Sequence, residues 1–182
     1  MLNFQDIPQF PRSYYRVDVE LRYLQEHLDH WAERTTSDLP EVLIMNPTWQ
    51  RGHVWTPEQQ TSYVEYMLKG GTTGKQVYFN CSSWNGNYDT PIYCVDGLQR
   101  ITALTEFMKN KVPVFGGHYL NDIEGNIRLL NVTLSFNMLK IKNTKELLKV
   151  YLDFNSGGTP HNPNELKRIQ EMIDKTPESD TL

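Results

Sequence analysis

The sequence predicts a single α/β domain of the α+β kind, in which a small sheet is flanked by helices. At 182 residues the chain is long enough to bury one full core and too short for two ordinary domains. Short runs of apolar and β-branched residues alternate with segments whose apolar residues recur at helical spacing. The clearest joint between the two patterns lies at Asp96-Gly97, where a strand-like run over 91–95 stops and helical spacing begins at Leu98.

The composition is that of a globular protein and excludes several classes. Charged residues make up 22% of the chain and apolar residues 38%, which is too apolar for an intrinsically disordered chain. No stretch is long and apolar enough for a membrane span or a secretory signal, so we expect a cytoplasmic protein that does not bind membranes. A net charge of -4 argues against broad, salt-dependent coating of nucleic acid. The two cysteines, Cys81 and Cys94, are expected to be reduced packing residues.

Local signals predict the elements of the first half of the chain. Prolines and aromatic residues over 1–16 favour an extended lead-in, and apolar residues at helical spacing predict a helix from Asp18, its candidate N-cap, to Glu33. The apolar run at 41–45 predicts a short strand. Thr56-Pro57 is typical of an N-cap followed by proline at the first helical position, so a second helix should begin there.

The second half is predicted to complete the sheet and to end in helices. A helix over 98–110 follows the strand at 91–95, and glycine pairs separate several of the later segments. Further strands are predicted at 75–80, 112–115, 118–119 and 127–136, and the last helices at 143–152 and 165–173. The polar residues 176–182 are expected to fray.

The turn at Gly97 is a candidate phosphate site. Glycine adopts backbone angles that other residues avoid, and the first turn of a helix offers unpaired N–H groups with a partial positive charge. An anion bound there would lie beside Gln99 and Arg100. The alternative is that Asp96-Gly97 is an ordinary turn and cap with solvated neighbours, and this stretch alone does not decide between the two.

A second polar segment, the loop over 46–55, follows the strand at 41–45. Arg51 supplies a planar fork suited to phosphate, and Trp49 or Trp55 offers a face for stacking. The alternative is that at least one of the tryptophans fills the core beneath the loop. Because loops carry a disproportionate share of function, we include this segment in the candidate site.

One concentrated basic run lies near the start of the last third of the chain. Its members are Lys140, Lys142, Lys145 and Lys149. A solvated helix face is the ordinary interpretation of such a run. If that face flanks the turn at Gly97, the lysines are candidates for contact with a DNA backbone.

Three motifs connect these segments to a known family. They are Asn46-Pro47-Thr48-Trp49-Gln50-Arg51 with Val54-Trp55 after it, Val95-Asp96-Gly97-Leu98-Gln99-Arg100, and Leu152-Asp153-Phe154-Asn155-Ser156-Gly157-Gly158-Thr159. In this order and spacing they resemble the N-terminal domains of GmrSD-type modification-dependent restriction systems, which belong to the ParB/sulfiredoxin-like superfamily. The similarity spans about residues 40–170. The family usually has Gln where Leu98 stands, so any role of that side chain is absent here.

The resemblance implies a compact ParB/sulfiredoxin-like domain with a small mixed sheet, which binds a nucleoside triphosphate. It assigns this domain to residues 40–173, after an N-terminal extension and helix over 1–39 and before a polar tail over 174–182. The Asp-Gly-x-Gln-Arg turn would serve phosphoryl chemistry, which the restriction systems link to nuclease action at modified DNA. Other members of the superfamily are kinases, acting on free serine and, by prediction, on hydroxymethylated bases in phage DNA.

The family's nuclease half, a His-Asn-His domain, has no counterpart in this sequence. The residues after Ile173 are too few to hold one. We therefore expect that the chain does not cut DNA alone and works with a nuclease partner.

Two functions stay open. The first is a phosphoryl-transfer enzyme, a kinase or NTPase in DNA modification or restriction, whose acceptor is water or a hydroxyl on DNA such as that of a hydroxymethylated base. The second is a non-catalytic module that senses a nucleotide or modified DNA for a separate nuclease. A purely structural role would leave the arginines of the motifs without a reason. The expected catalytic residues are Asp96, Gln99 and Arg100. Asp96 is expected either to bind Mg²⁺ or to take a proton from the phosphoryl acceptor. The expected nucleotide- and phosphate-binding residues are Gln50, Arg51, Gly97, Asn155, Gly157, Gly158 and Thr159.

Overall fold

A five-stranded mixed sheet organises the part of the chain that the computed structural model describes, namely residues 13–34, 39, 41–52, 54–125, 132–156 and 163–182. The strands are β1 (Tyr15–Glu20), β2 (Leu43–Ile44), β3 (Gln76–Asn80), β4 (Ile92–Asp96) and β5 (Thr133–Leu139). The helices are α1 (Leu24–Ala32), α2 (Pro57–Leu68), α3 (Leu98–Met108), α4 (Thr144–Ser156) and α5 (Pro163–Lys175), with short 3₁₀ turns at Leu21–Tyr23 and Leu120–Asp122. The predicted fold class, an α/β domain with a small mixed sheet flanked by helices, is confirmed.

The strand order β1-β5-β3-β4-β2 determines which loops meet. β1 and β5 are antiparallel, β5 and β3 parallel, β3 and β4 antiparallel, and β4 and β2 parallel. In the central antiparallel pair Tyr78 lies opposite Asp96 and Asn80 lies opposite Tyr93. The turn after β4 and the segment after β3 therefore lie at opposite ends of the sheet.

Side chains of the central strands alternate between two cores, one on each face of the sheet. On β4, Ile92 and Cys94 join the core that α1, α2 and α3 cover, whereas Val95 joins the core that α4 and α5 cover. This alternation with period two is what a strand buried on both faces requires. Both cysteines are buried and form no disulfide. The described helices include none that is long and apolar enough to cross a membrane.

Residues 15–20 differ from the prediction, since they form a strand and not a lead-in followed by the start of a helix. Val17 and Leu21 are four residues apart, a spacing that fits period two as well as a helix, and the buried Val19 lies between them. Pairing with β5 decides in favour of the strand. The predicted cap Asp18 lies in the middle of β1, where it accepts a hydrogen bond from the Ser135 hydroxyl.

Other local predictions were wrong in part. Segments 112–115 and 118–119 are not strands and share one bridge, between Val114 and His118. Of the predicted strand at 127–136, residues 127–131 lie outside the described ranges, and β5 continues to Leu139. The last residues do not fray, because the Leu182 N–H donates to the Lys142 carbonyl at 3.0 Å. Neighbouring backbone groups hold the end of the chain against the start of α4.

Candidate functional site

A cleft with a volume of 510 Å³ opens at the end of β4, where the chain turns into α3. Its lining comes from the loop before α2 and the first turn of that helix, from the end of β4 and the first turn of α3, and from the C-terminal part of α4: Gln50, Arg51, Val54, Trp55, Gln59, Val95, Asp96, Gly97, Leu98, Gln99, Arg100, Tyr151, Phe154 and Asn155. Seven residues that the motifs predicted, one or more from each motif, thus meet in one cleft. Gly157, Gly158 and Thr159 lie outside the described residues.

Gly97 makes the turn into α3 possible. Its φ is +120° and its ψ 0°, and a Cβ at this position would lie 2.5 Å from Cγ1 of the buried Val77. Only glycine fits both the backbone angle and the space. Because Gly97 has no side chain to cap the helix, the backbone N–H groups of Gln99 and Arg100 have no hydrogen-bond partner in the described part of the chain. They leave the positive end of α3 open to the cleft.

Asp96 and Arg100 form an ion pair across the first turn of α3. Arg100 Nη2 donates to Asp96 Oδ2 at 2.6 Å, and the side chains are 19% and 37% exposed for Arg100 and Asp96, respectively. The other carboxylate oxygen of Asp96 has no partner among the described residues. The turn therefore presents a fixed guanidinium and one uncommitted carboxylate oxygen side by side.

The loop before α2 carries the second cation of the cleft. Trp49 is buried and packs edge-on against the Tyr151 ring at 4.9 Å, so one of the two loop tryptophans does fill the core. The Arg51 guanidinium has no ion pair or hydrogen bond within the described ranges, although it lines the cleft. Burial raises the pKa of Tyr151 to about 12 despite the nearby positive charge of Arg51, so this hydroxyl stays protonated at neutral pH.

The two motif glutamines bind backbone groups. Gln50 Nε2 donates to the Cys94 and Val95 carbonyls, which uses both of its hydrogens. Gln99 Oε1 accepts from the N–H groups of Val54 and Trp55 at 2.9 and 3.0 Å, and Gln99 Nε2 donates to the Gly52 carbonyl at 3.0 Å. The catalytic role expected of Gln99 and the phosphate contact expected of Gln50 stay predictions. In this geometry Gln50 has no hydrogen left to donate to a phosphate.

Aromatic rings form an apolar part of the wall. Trp55 is half-buried against Tyr63, with ring centroids 5.3 Å apart. Phe154 is half-buried against Tyr78, with centroids 4.6 Å apart. The Tyr63 hydroxyl donates to the Gly74 carbonyl, and burial raises its pKa far above the ordinary value, so Tyr63 supports the wall as a neutral side chain. Flat apolar surface of this kind accepts the face of a base.

Arg168 of α5 was missed by the sequence analysis. Its Nη2 donates to the Trp49 carbonyl at 2.6 Å and to Glu165 at 2.7 Å, so the last helix holds the loop that carries Arg51. The Glu165 and Arg168 spacing on a helical pattern was a visible signal of an ion pair. The contact with the Trp49 carbonyl was not visible, because it depends on how α5 packs.

None of the four lysines of the basic run is among the described residues that line the cleft. Lys140 and Lys142 line a separate groove of 370 Å³ beside the segment after β3, at the other end of the sheet. Lys145 forms an ion pair with Glu178 at 2.8 Å, and the Lys140 ammonium lies over the Tyr14 ring. The contact with a DNA backbone that was expected of these lysines stays a prediction.

Comparison with known proteins identifies a family. Neither the curated proteins nor the solved structures contain a match. The family model described as GmrSD restriction endonuclease, N-terminal domain, matches residues 33–170. That range includes every residue that lines the cleft, and it confirms the resemblance inferred from the three motifs. The chain thus belongs to the family of GmrSD restriction endonuclease N-terminal domains.

Proposed function

We propose that this domain binds a nucleoside triphosphate with Mg²⁺ in the cleft and transfers its terminal phosphoryl group, within the modification-dependent restriction that its family serves. One observation carries the proposal. The Arg51 guanidinium and the first-turn N–H groups of α3 line the same cleft, and they lack protein partners in the described part of the chain. Donors left unpaired around a concave surface are what a polyanionic ligand requires.

The apolar wall supports a nucleotide over a simple anion. Trp55 and Phe154 provide ring surface in the same cleft as Arg51. A volume of 510 Å³ is within the range of small-molecule sites. A ligand with a triphosphate at one end and a flat base at the other matches both parts of the lining.

Asp96 is the residue suited to Mg²⁺. It is the one carboxylate in the lining, and the described residues contain no group of three metal-binding side chains. Magnesium in nucleotide sites is commonly bound through one or two carboxylates with phosphate oxygens and water completing the shell, so one oxygen of Asp96 suffices. The ion would neutralise charge on the phosphates. Arg100, held by the other oxygen of Asp96, would add a guanidinium to the transferred group.

The test is equilibrium binding of ATP, GTP, CTP and UTP to the full chain, with and without Mg²⁺. We expect one or more of them to bind, and Arg51→Ala to weaken that binding about 10- to 100-fold, since a charge-assisted phosphate contact is worth about 1.5–3 kcal/mol. Arg16→Ala is the matched control, because Arg16 lies on the edge strand β1, outside the cleft. No binding by wild type, or unchanged binding by Arg51→Ala, would refute the site.

The acceptor is decided by following radiolabelled terminal phosphate, with and without hydroxymethylated DNA. Label released as free phosphate would identify an NTPase, and label on DNA would identify a kinase acting on modified bases.

A second candidate is a non-catalytic nucleotide or modified-DNA sensor that works with a separate nuclease. The ion pair between Asp96 and Arg100 favours it, because each side chain partly satisfies the other. Nucleotide binding without any transfer of label would support the sensor function over the enzyme.

A further inference from the structure

The side chains of two glutamines connect the loop before α2 with the turn from β4 into α3, one from each segment. Gln50 reaches from the loop before α2 to the carbonyls of Cys94 and Val95, the residues that lead into Asp96. Gln99 reaches from α3 back to the same loop, to Gly52, Val54 and Trp55. Five hydrogen bonds thus connect two segments that are more than 40 residues apart in the chain.

Arg51 lies between the two anchors. The preceding residue, Gln50, is bound through its side chain to β4, and the following residue, Gly52, accepts a hydrogen bond from Gln99. The Arg51 side chain has no hydrogen-bond or ion-pair partner of its own within the described ranges. Its direction therefore depends on the backbone on either side of it. Fixing that backbone in advance removes an ordering cost from ligand binding.

We propose that Gln99 is a positioning residue, whose carboxamide holds the backbone of Gly52, Val54 and Trp55 so that the Arg51 guanidinium faces the phosphates. This inference rests on the proposed nucleotide site and gives Gln99 a role other than the direct catalytic contact that the motif suggested. Both lone pairs of Oε1 are occupied by the N–H groups of Val54 and Trp55. The carboxamide oxygen would repel a phosphate. Its hydrogen bonds therefore serve to hold the protein backbone.

The Nε2 donor and the Oε1 acceptor of Gln99 bind different backbone groups, and two variants distinguish their contributions. Gln99→Ala removes all three hydrogen bonds. Gln99→Glu keeps an acceptor for Val54 and Trp55 but places a carboxylate against the Gly52 carbonyl, 3.0 Å from the present donor. Both variants should loosen the loop, with Ala loosening Gly52, Val54 and Trp55 and Glu chiefly Gly52. Gln25→Ala is the matched control, because Gln25 is exposed on α1 and its side chain donates to Asp29, away from the cleft.

The first measurement needs no nucleotide. Amide hydrogen exchange of peptides covering residues 51–55 reports the N–H groups that Gln99 protects. Acrylamide quenching reports Trp55, because Trp31, Trp49 and Trp84 are 2%, 6% and 3% exposed and Trp55 is half-buried. We expect faster exchange and stronger quenching in both Gln99 variants and no change in Gln25→Ala. Unchanged amide hydrogen exchange in Gln99→Ala would show that Gln99 does not hold this loop, and would overturn the proposal.

The second measurement is a double-mutant cycle on the nucleotide dissociation constant. Gln99→Ala alone should weaken binding about tenfold, and should add nothing in the Arg51→Ala background, because Gln99 acts through Arg51. Additive effects would show that Gln99 contacts the ligand itself and would overturn the positioning role. A wild-type protein that binds no nucleotide would refute the proposed function, while the exchange measurement would still decide whether Gln99 holds this loop.

Discussion

Polar side chains occupy both ends of the β3–β4 strand pair, yet the two ends differ in how completely those groups are paired. After β3, the buried carboxamide of Asn80 accepts from the Ile141 N–H at 2.8 Å and donates to the Ile141 carbonyl at 3.0 Å. After β4, Gln50 and Gln99 make similar side-chain-to-backbone bonds. In the cleft, however, Arg51, one oxygen of Asp96 and two N–H groups of α3 lack partners among the described residues.

The difference separates structural polar groups from those available to a ligand. A buried polar group that is fully paired stabilises one arrangement of the chain and offers nothing to a second molecule. A cleft that keeps charged donors unpaired loses stabilisation it could have had, which is reasonable where a ligand supplies the partner. Four substitutions, ordered by their expected effect on the free energy of unfolding, test this distinction.

The largest effect is expected from Gly97→Ala, at the turn from β4 into α3. The new Cβ would lie 2.5 Å from Val77 Cγ1 and would force a side chain into a backbone angle of φ +120°. Strain and overpacking together should cost about 3 kcal/mol in urea unfolding. Adding Val77→Ala removes the clash but not the strained angle, so the double variant should recover part of the loss. If Gly97→Ala were as stable as wild type, position 97 would not have the backbone angle and the close contact with Val77 given above.

Asn80→Leu tests the fully paired end and should cost about 2 kcal/mol. The change leaves the Ile141 N–H and carbonyl buried without a partner. Nucleotide binding, measured on the folded variant by titration, should equal that of wild type, because Asn80 does not line the cleft. Asn87→Leu, in the exposed loop after β3, is the control and should change stability by less than about 0.5 kcal/mol. A loss of nucleotide affinity in Asn80→Leu would break the separation of the two ends.

Asp96→Asn tests the unpaired end and should change stability by less than about 1 kcal/mol. The ion pair with Arg100 is partly exposed, and Asn can still accept from the guanidinium. Turnover should nevertheless fall at least about 100-fold, since a neutral amide is a poor Mg²⁺ ligand. The measurement is turnover against Mg²⁺ concentration, beside thermal unfolding. Wild-type rates at every concentration would exclude Asp96 as a catalytic residue.

The smallest effect concerns Tyr66, a paired polar group at the surface. Hydrogen bonds from the Thr73 hydroxyl and from the backbone N–H groups of Thr73 and Thr72 lower the pKa of Tyr66 to about 8 from its ordinary 10. The folded state thus favours the phenolate, so its contribution to stability is present above pH 10 and disappears as the pH falls through 8. Phenolate absorbance should show a titration near pH 8 that Tyr66→Phe abolishes. A titration near pH 8 that persists in Tyr66→Phe would belong to another tyrosine.

Elements with local start signals were predictable from the sequence. α2 begins at Pro57 with a complete capping box between Thr56 and Gln59, and α3 begins directly after Gly97. β1 was not predictable, because its pairing with β5 joins residues more than 100 positions apart. Short apolar spacings fit either element until such a partner is known.

The location of the site was predictable, and the use of its side chains was not. Polar motifs at element junctions pointed to the cleft that Arg51, Asp96 and Arg100 line. Gln50 and Gln99 looked equally available to a ligand, because nothing in the sequence shows that their amides bind backbone groups. Arg168 went unnoticed for the same reason, since its partner, the Trp49 carbonyl, belongs to a different segment.

The β1–β5 pairing also bears on how the domain should be cut for expression. The family match begins at residue 33, after both β1 and α1. A fragment cut there would leave the seven-residue β5 paired only with β3, with its other edge open, and would remove the Trp31 ring, 2% exposed, from the core. Open strand edges beside exposed apolar surface recruit other chains. Such a fragment should therefore aggregate, and a fragment that stays monomeric has to begin before Tyr15.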